Sequence, residues 1–209
     1  MSVPGIFVDK TLLMRRPRSA LAPQGACRIV EVDDVDGILA HGRAVGRDPE
    51  VARVRQRLGH GLRFFSLLEG ETVVANSWAV RGGARFLDEA MLVFALAPDA
   101  ACLRDVHVRP ADRGRGLFRK LVEGLEHGPL EGIRDLWSCV DAANRASVAA
   151  HRRADFATAG EVSTVALFDR LMWRRPSLPD ALECCDYDAS RRWLWLGARA
   201  RGFRRQQLA

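Results

Sequence analysis

At 209 residues and 23.2 kDa, with 48% hydrophobic residues, the chain has the length of one domain with extensions and can bury a sizeable core. Its net charge of +6 is unevenly placed: residues 191–209 hold six arginines and no acid, and the rest balances 26 basic against 26 acidic groups. That placement speaks against a nucleic-acid enzyme, whose basic footprint covers the folded face. No apolar run approaches the roughly 18 residues of a membrane-spanning helix.

The opening MSVPGIFVDK lacks a basic start followed by a long apolar stretch, so export is not expected. Five cysteines (27, 102, 139, 184 and 185) show no C-x-x-C spacing, which fits reduced thiols and a cytoplasmic protein. Residues 1–25 read as an N-terminal extension or arm. RRPRSALAPQG resembles a linker, and GIFV either adds an edge strand or packs on a neighbour.

From residue 26 the elements follow closely. CRIVEV (27–32) is a first strand, Asp33 and Asp34 cap a helix to about 45, and Asp48-Pro49-Glu50 starts a helix to about Leu58. Strands at about 62–69 and 72–80, joined at Gly70-Glu71, form an antiparallel hairpin. Residues 85–96 fit strand or short helix equally. Leu103–Val108 is a strand that breaks at Pro110, and a helix over 115–127 carries an apolar face of Phe118, Leu121, Val122 and Leu125. DLWSCV (135–140) is a strand, Asn144 caps a helix over 145–154, and a last strand lies within 161–173. This order predicts one α/β (α+β) domain over 26–175. Its sheet is mixed, mostly antiparallel, twisted and six- to seven-stranded, flanked by helices. A basic extension follows at 176–209. In that tail Trp193, Leu196, Ala200 and Phe203 share a helical face, read as docking on the same chain or on the partner of a homodimer.

The most informative stretch is VHVRPADRGRGLF (106–118). Amides at a helix start lack intrahelical partners and carry partial positive charge. Gly114 and Gly116 let the main chain approach an anion, and Arg113 and Arg115 add full charges. The chemistry is that of a phosphate or pyrophosphate seat, without the G-x-G-x-x-G of dinucleotide folds or the Gly-Lys-Ser/Thr of a P-loop.

Leu103–Leu125 resembles the acyl-CoA-binding segment of the GNAT family, the GCN5-related N-acetyltransferases. Arg113, Gly116 and Phe118 fall on its Arg/Gln-x-x-Gly-x-Gly/Ala signature, with Phe118 where a small residue is usual. NRASVAAHRRADF (144–156) is similar to the family's later stretch, with His151 where Tyr is usual and Asp155 where Gly is usual. The resemblance implies a GNAT-type N-acetyltransferase, cytoplasmic and of bacterial type, that moves an acetyl group from acetyl-CoA to a small amine or amino sugar by direct transfer in a ternary complex. It implies that the backbone of Val106 and Val108 holds the pantetheine. The amides of Arg115, Gly116, Leu117 and Phe118, with the side chains of Arg113 and Arg115, would hold the pyrophosphate. Asn144 and Ser147 would fix cofactor, and no metal is implied.

His151, in the place of the tyrosine that protonates the thiolate, is the candidate acid; its alternative is a helix histidine without a role. Asp105 is the candidate base, and a structural ion pair is its other reading. Strand alternation puts Asp105 and His107 on one face and Arg104, Val106 and Val108 on the other. Asp88 and Glu89 are competing carboxylates. A longer acyl donor or hydroxyl acceptor, and a module that binds acyl-CoA without turnover, are the rival functions.

Overall fold

The computed structural model describes residues 6–19, 27–87, 92–167, 170–179 and 182–186. Nine strands build one sheet: β1 (Ile6–Pro17), β2 (Cys27–Val32), β3 (Arg63–Glu69), β4 (Thr72–Leu87), β5 (Leu92–Val108), β6 (Asp135–Asp141), β7 (Ala157–Leu167), β8 (Arg170–Ser177) and β9 (Glu183–Asp186). Eight lie in the order β2-β3-β4-β5-β6-β1-β7-β8, and β9 pairs with the start of β5. Every pair is antiparallel except β5–β6. The mixed, mostly antiparallel sheet is the expected one, with more strands than the six or seven anticipated. The 85–96 stretch is strand on both sides of the undescribed residues 88–91.

Four helices cover it: α1 (Val35–Ala44), α2 (Val51–Gly59), α3 (Leu117–Glu126) and α4 (Arg145–Arg153). The period-2 strands sort their side chains to two faces. On one face Phe64 and Trp78 meet Ile38, Leu39 and Val54 of α1 and α2. On the other, Phe65, Leu67, Leu103, Leu136 and Val140 meet Leu117, Leu121, Val122 and Leu125 of α3 and Val148 of α4.

β1 corrects the reading of residues 6–17 as part of an arm with an edge strand. It lies inside the sheet, antiparallel to β6 and β7, with Leu13 and Met14 buried on opposite faces. Arg16 is 1% exposed, and its charge meets Glu126 of α3 at 3.2 Å while a second nitrogen donates to the Ala154 carbonyl at 3.0 Å. A string of arginines that reads as a solvated linker is thus an interior strand, because a buried acid receives the charge. At the other end, β8 reaches Ser177 and β9 returns to β5, so part of the expected C-terminal extension belongs to the sheet. The basic tail lies outside the described residues.

Candidate active site

The parallel pairing of β5 with β6 covers only Ala100–Leu103 against Asp135–Ser138. Beyond it the strands part. β6 continues along β1, Leu12 opposite Val140, while residues 104–108 of β5 stay on β4, Val108 opposite Ala75. The inner edge of 104–108 therefore faces a slot that closes at Leu103 and Ser138 and opens toward α3 and α4.

Within that stretch Asp105 takes φ +49°, and the register against β4 slips between Asn76 and Trp78. This bulge breaks the strict alternation assumed from sequence. Val106 and Val108 do pack together on the α3 core, as expected, but Arg104 is buried just before the bulge. Asp105 is paired with Arg57 of α2, whose guanidinium also lies over the Trp78 ring at 5.2 Å. Burial pushes the Asp105 pKa up, but Arg57 and Arg104 overcome it and bring it down to about 2. So weak a base fits the ion-pair reading of Asp105. Burial, then the charge of Arg47, lowers His107 to about 4 against the pull of Asp105, leaving its imidazole neutral at pH 7. Asp88 and Glu89 lie outside the described residues.

Above the slot, Pro110–Asp112 makes a 3-10 turn, and Gly114 (φ +84°) and Gly116 (φ +73°) take left-handed conformations. Open space surrounds both glycines where a Cβ would stand, so their backbone conformation rather than crowding calls for glycine. Gly116 is the N-cap of α3, and no side chain caps this helix. Asp34 accepts from Gly37 N–H at the start of α1, and Asn144 accepts from Ser147 N–H at 3.1 Å at the start of α4, whereas α2, like α3, starts without a side-chain cap. Of the two starts without a side-chain cap, only that of α3 follows a turn with two left-handed glycines.

The two arginines of the turn divide. Arg115 is bound to Asp112 at 2.7 Å and Glu69 at 2.8 Å, so its side chain braces the loop against β3. Arg113 is exposed and makes no ion pair among the described residues. The Leu117 and Phe118 side chains are buried. Phe118 packs its ring on His151 at 4.5 Å and Phe156 at 6.1 Å, so its bulk fills the α3–α4 core instead of crowding the turn.

His151 is 4% exposed, inside α4. Its Nδ1 lies 2.8 Å from the Ser147 carbonyl and its Nε2 2.9 Å from Ser138 Oγ. Burial lowers its pKa, opposed by the bond to the Ser147 carbonyl, so the ring is neutral near pH 7. Asn144 and Ser147 serve the helix itself through the cap. Asp155 adopts φ +63°, the conformation for which glycine is the usual residue, and closes on Arg119 at 3.1 Å. Ser138 and Arg57 are site residues that the sequence reading missed. Ser138 is the single hydroxyl in the apolar run LWSCV, which was the available signal. Among the described residues no group of three or more His, Cys, Asp or Glu could hold a metal, and no helix is long and apolar enough to cross a membrane.

No curated protein matches this chain. Among solved structures, a protein described as a GNAT-family acetyltransferase from Novosphingobium aromaticivorans aligns over 78% of this chain and 67% of its own, with TM-score 0.52 and 18% identity. A conserved protein of unknown function from Staphylococcus epidermidis aligns over 78% of this chain and 63% of its own, with TM-score 0.52 and 10% identity. A GNAT-family acetyltransferase from Colwellia psychrerythraea aligns over 78% and 56%, with TM-score 0.50 and 16% identity. These likenesses show the fold. The sequence profile of the acetyltransferase (GNAT) family matches residues 45–156, more than half of the chain, and spans the hairpin, the slot, the bare helix start and His151. The chain therefore belongs to the GNAT family of transferases, whose acyl donor is acyl-CoA.

Proposed function

We propose that this protein transfers an acetyl group from acetyl-CoA to a small amine or amino sugar, directly within a ternary complex. One observation carries the reading: an uncapped helix start with two left-handed glycines stands at the mouth of a slot between parting strands. The amides of Arg115, Gly116, Leu117 and Phe118 take the pyrophosphate, with the exposed Arg113 as its counter-charge and Arg115 bracing the loop. The free edge of β5 at Val106 and Val108 pairs with the pantetheine amides. Holding the thioester beside the amine supplies much of the rate, on the order of 7–11 kcal/mol in well-oriented systems.

One observation favours a short acyl group. The slot closes at Leu103 and Ser138. Asp105, held by Arg57, fixes the bulge that aims β5, and the chemistry of proton transfer falls to other groups.

The test is thermal stabilisation by a panel of acyl-CoA thioesters, followed by thiol release with a panel of primary amines. Stabilisation by acetyl-CoA with thiol release is expected. Stabilisation without release from any amine would favour a binding module, and no stabilisation by any thioester would end the acyltransferase reading.

A further inference from the structure

Acylation of an amine that has already shed its ammonium proton to solvent moves one proton from nitrogen to sulfur, and the roles of Asp105 and Arg57 leave that transfer without an agent. We propose that Ser138 and His151 are a proton relay at the closed end of the slot, Ser138 Oγ exchanging protons with the reacting groups and His151 Nε2 storing one between the two halves of the reaction. The inference rests on the acyltransferase reading above.

Position comes first. Ser138 is the last residue of β6 paired to β5 before the strands part. Strand alternation puts it on the same face as Leu136 and Val140, toward α4. Ser138 is 5% exposed, and its hydroxyl sits 2.9 Å from His151 Nε2.

Hydrogen-bond chemistry then fixes the direction of the bond. Two groups of Ser147 lie near His151 Nδ1, the hydroxyl at 3.5 Å and the backbone carbonyl at 2.8 Å; the closer one only accepts, so Nδ1 carries the proton. In the neutral ring Nε2 is then a bare lone pair, and Ser138 O–H donates to it. The ring cannot turn away, because Phe118 at 4.5 Å and Phe156 at 5.2 Å enclose it. The charged groups on the packed elements are engaged elsewhere. Arg119 of α3 is bound to Glu123 and Asp155, and Arg16 of β1 to Glu126 and the Ala154 carbonyl. Arg152 and Arg153 on α4 itself are exposed.

This arrangement suits a base that becomes an acid, and does not suit a histidine that gives its proton to sulfur directly. As the amine nitrogen bonds to the thioester carbon, it passes a proton to Ser138 Oγ, which passes its own to His151 Nε2. The imidazolium so formed is stabilised by its Nδ1–H bond to Ser147. When the carbon–sulfur bond breaks, the thiolate takes the Ser138 proton and Nε2 returns its proton to Ser138. One nitrogen–carbon bond forms, one carbon–sulfur bond breaks, and both side chains end as they began. Ser138 is the catalytic residue, and His151, acting through it, is a positioning and proton-storing residue.

The experiment has two readouts on the full-length protein. In the ¹H–¹⁵N spectrum of the histidine side chains at pH 7, His151 is expected to be neutral, with its proton on Nδ1; a proton on Nε2 overturns the relay. In thiol release with acetyl-CoA and the best amine of the panel, Ser138→Ala is expected to lower kcat about 100-fold with KM for acetyl-CoA unchanged. His151→Phe added to Ser138→Ala should cost little more, since the two act as a unit. Wild-type kcat in the near-isosteric Ser138→Ala overturns the relay alone. Absence of release by the wild type with every amine removes the acyltransferase reading and the relay together. An acetyl group found on Ser138 after incubation with acetyl-CoA alone also overturns it, in favour of an acyl-serine path.

Discussion

Arg57 of α2 holds Asp105 at the bulge of β5, so a helix on one face of the sheet fixes the strand that borders the slot. Arg57 is almost fully buried and Asp105 about one-fifth exposed. Removing the carboxylate takes its close counter-charge away from a buried guanidinium. Asp105→Asn is therefore expected to destabilise the protein by about 3 kcal/mol, read by denaturant unfolding.

The same pair sets an acid limit. The Asp105 pKa of about 2 lies below its ordinary value of 3.8, so the stabilisation is complete above the ordinary value. It is lost as pH falls through the folded value. The difference in melting temperature between wild type and Asp105→Asn should stay constant above about pH 5, narrow below pH 4 and close near pH 2. A difference that widened with acid would contradict the assignment.

At the bare start of α3, Gly116→Asp places a carboxylate where the pyrophosphate is proposed to sit. Asp tolerates the left-handed conformation better than most residues, and open space surrounds the site. The fold should survive while stabilisation by acetyl-CoA is lost. Unchanged stabilisation would mean that the nucleotide binds elsewhere.

Arg113 and Arg115 should separate by experiment. Arg113→Ala is expected to weaken acetyl-CoA binding about tenfold, the loss of one charge-assisted contact, and to flatten its salt dependence. Arg115 is already committed to Asp112 and Glu69, so Arg115→Ala should lower thermal stability as well as affinity. Calorimetric titration at two salt concentrations distinguishes them.

Buried Arg16 and Glu126 give a fifth check. Glu126→Leu alone strands a guanidinium in the core and should cost about 3–5 kcal/mol. Combining it with Arg16→Met removes both charges and should recover most of that loss. Failure of the double variant to recover would mean that Arg16 matters for its bond to the Ala154 carbonyl.

Much of this was legible because local signals were strong. Asp34 and Asn144 cap α1 and α4 where their side chains predict it, and the apolar face of α3 follows its helical period. The glycine-arginine turn marked the start of α3, where two glycines take left-handed conformations and no side chain caps the helix. What stayed hidden depends on long-range partners. Arg15 and Arg16 look solvated until Asp135 and Glu126 are known to lie against them. The face of Asp105 cannot be read from alternation, because a bulge re-aims the strand. His151 reads as a helix histidine until Ser138, thirteen residues earlier on another element, is seen against its ring.

The place of β1 in the sheet has a consequence for how the domain is made. Its neighbours β6 and β7 come from the last part of the domain, so β1 has nothing to pair with until they exist. Closure of the sheet is then among the least local events available to this chain, of the kind that slows folding. On the ribosome, Leu13, Met14 and Arg16 would stay unburied until β6 and β7 have emerged.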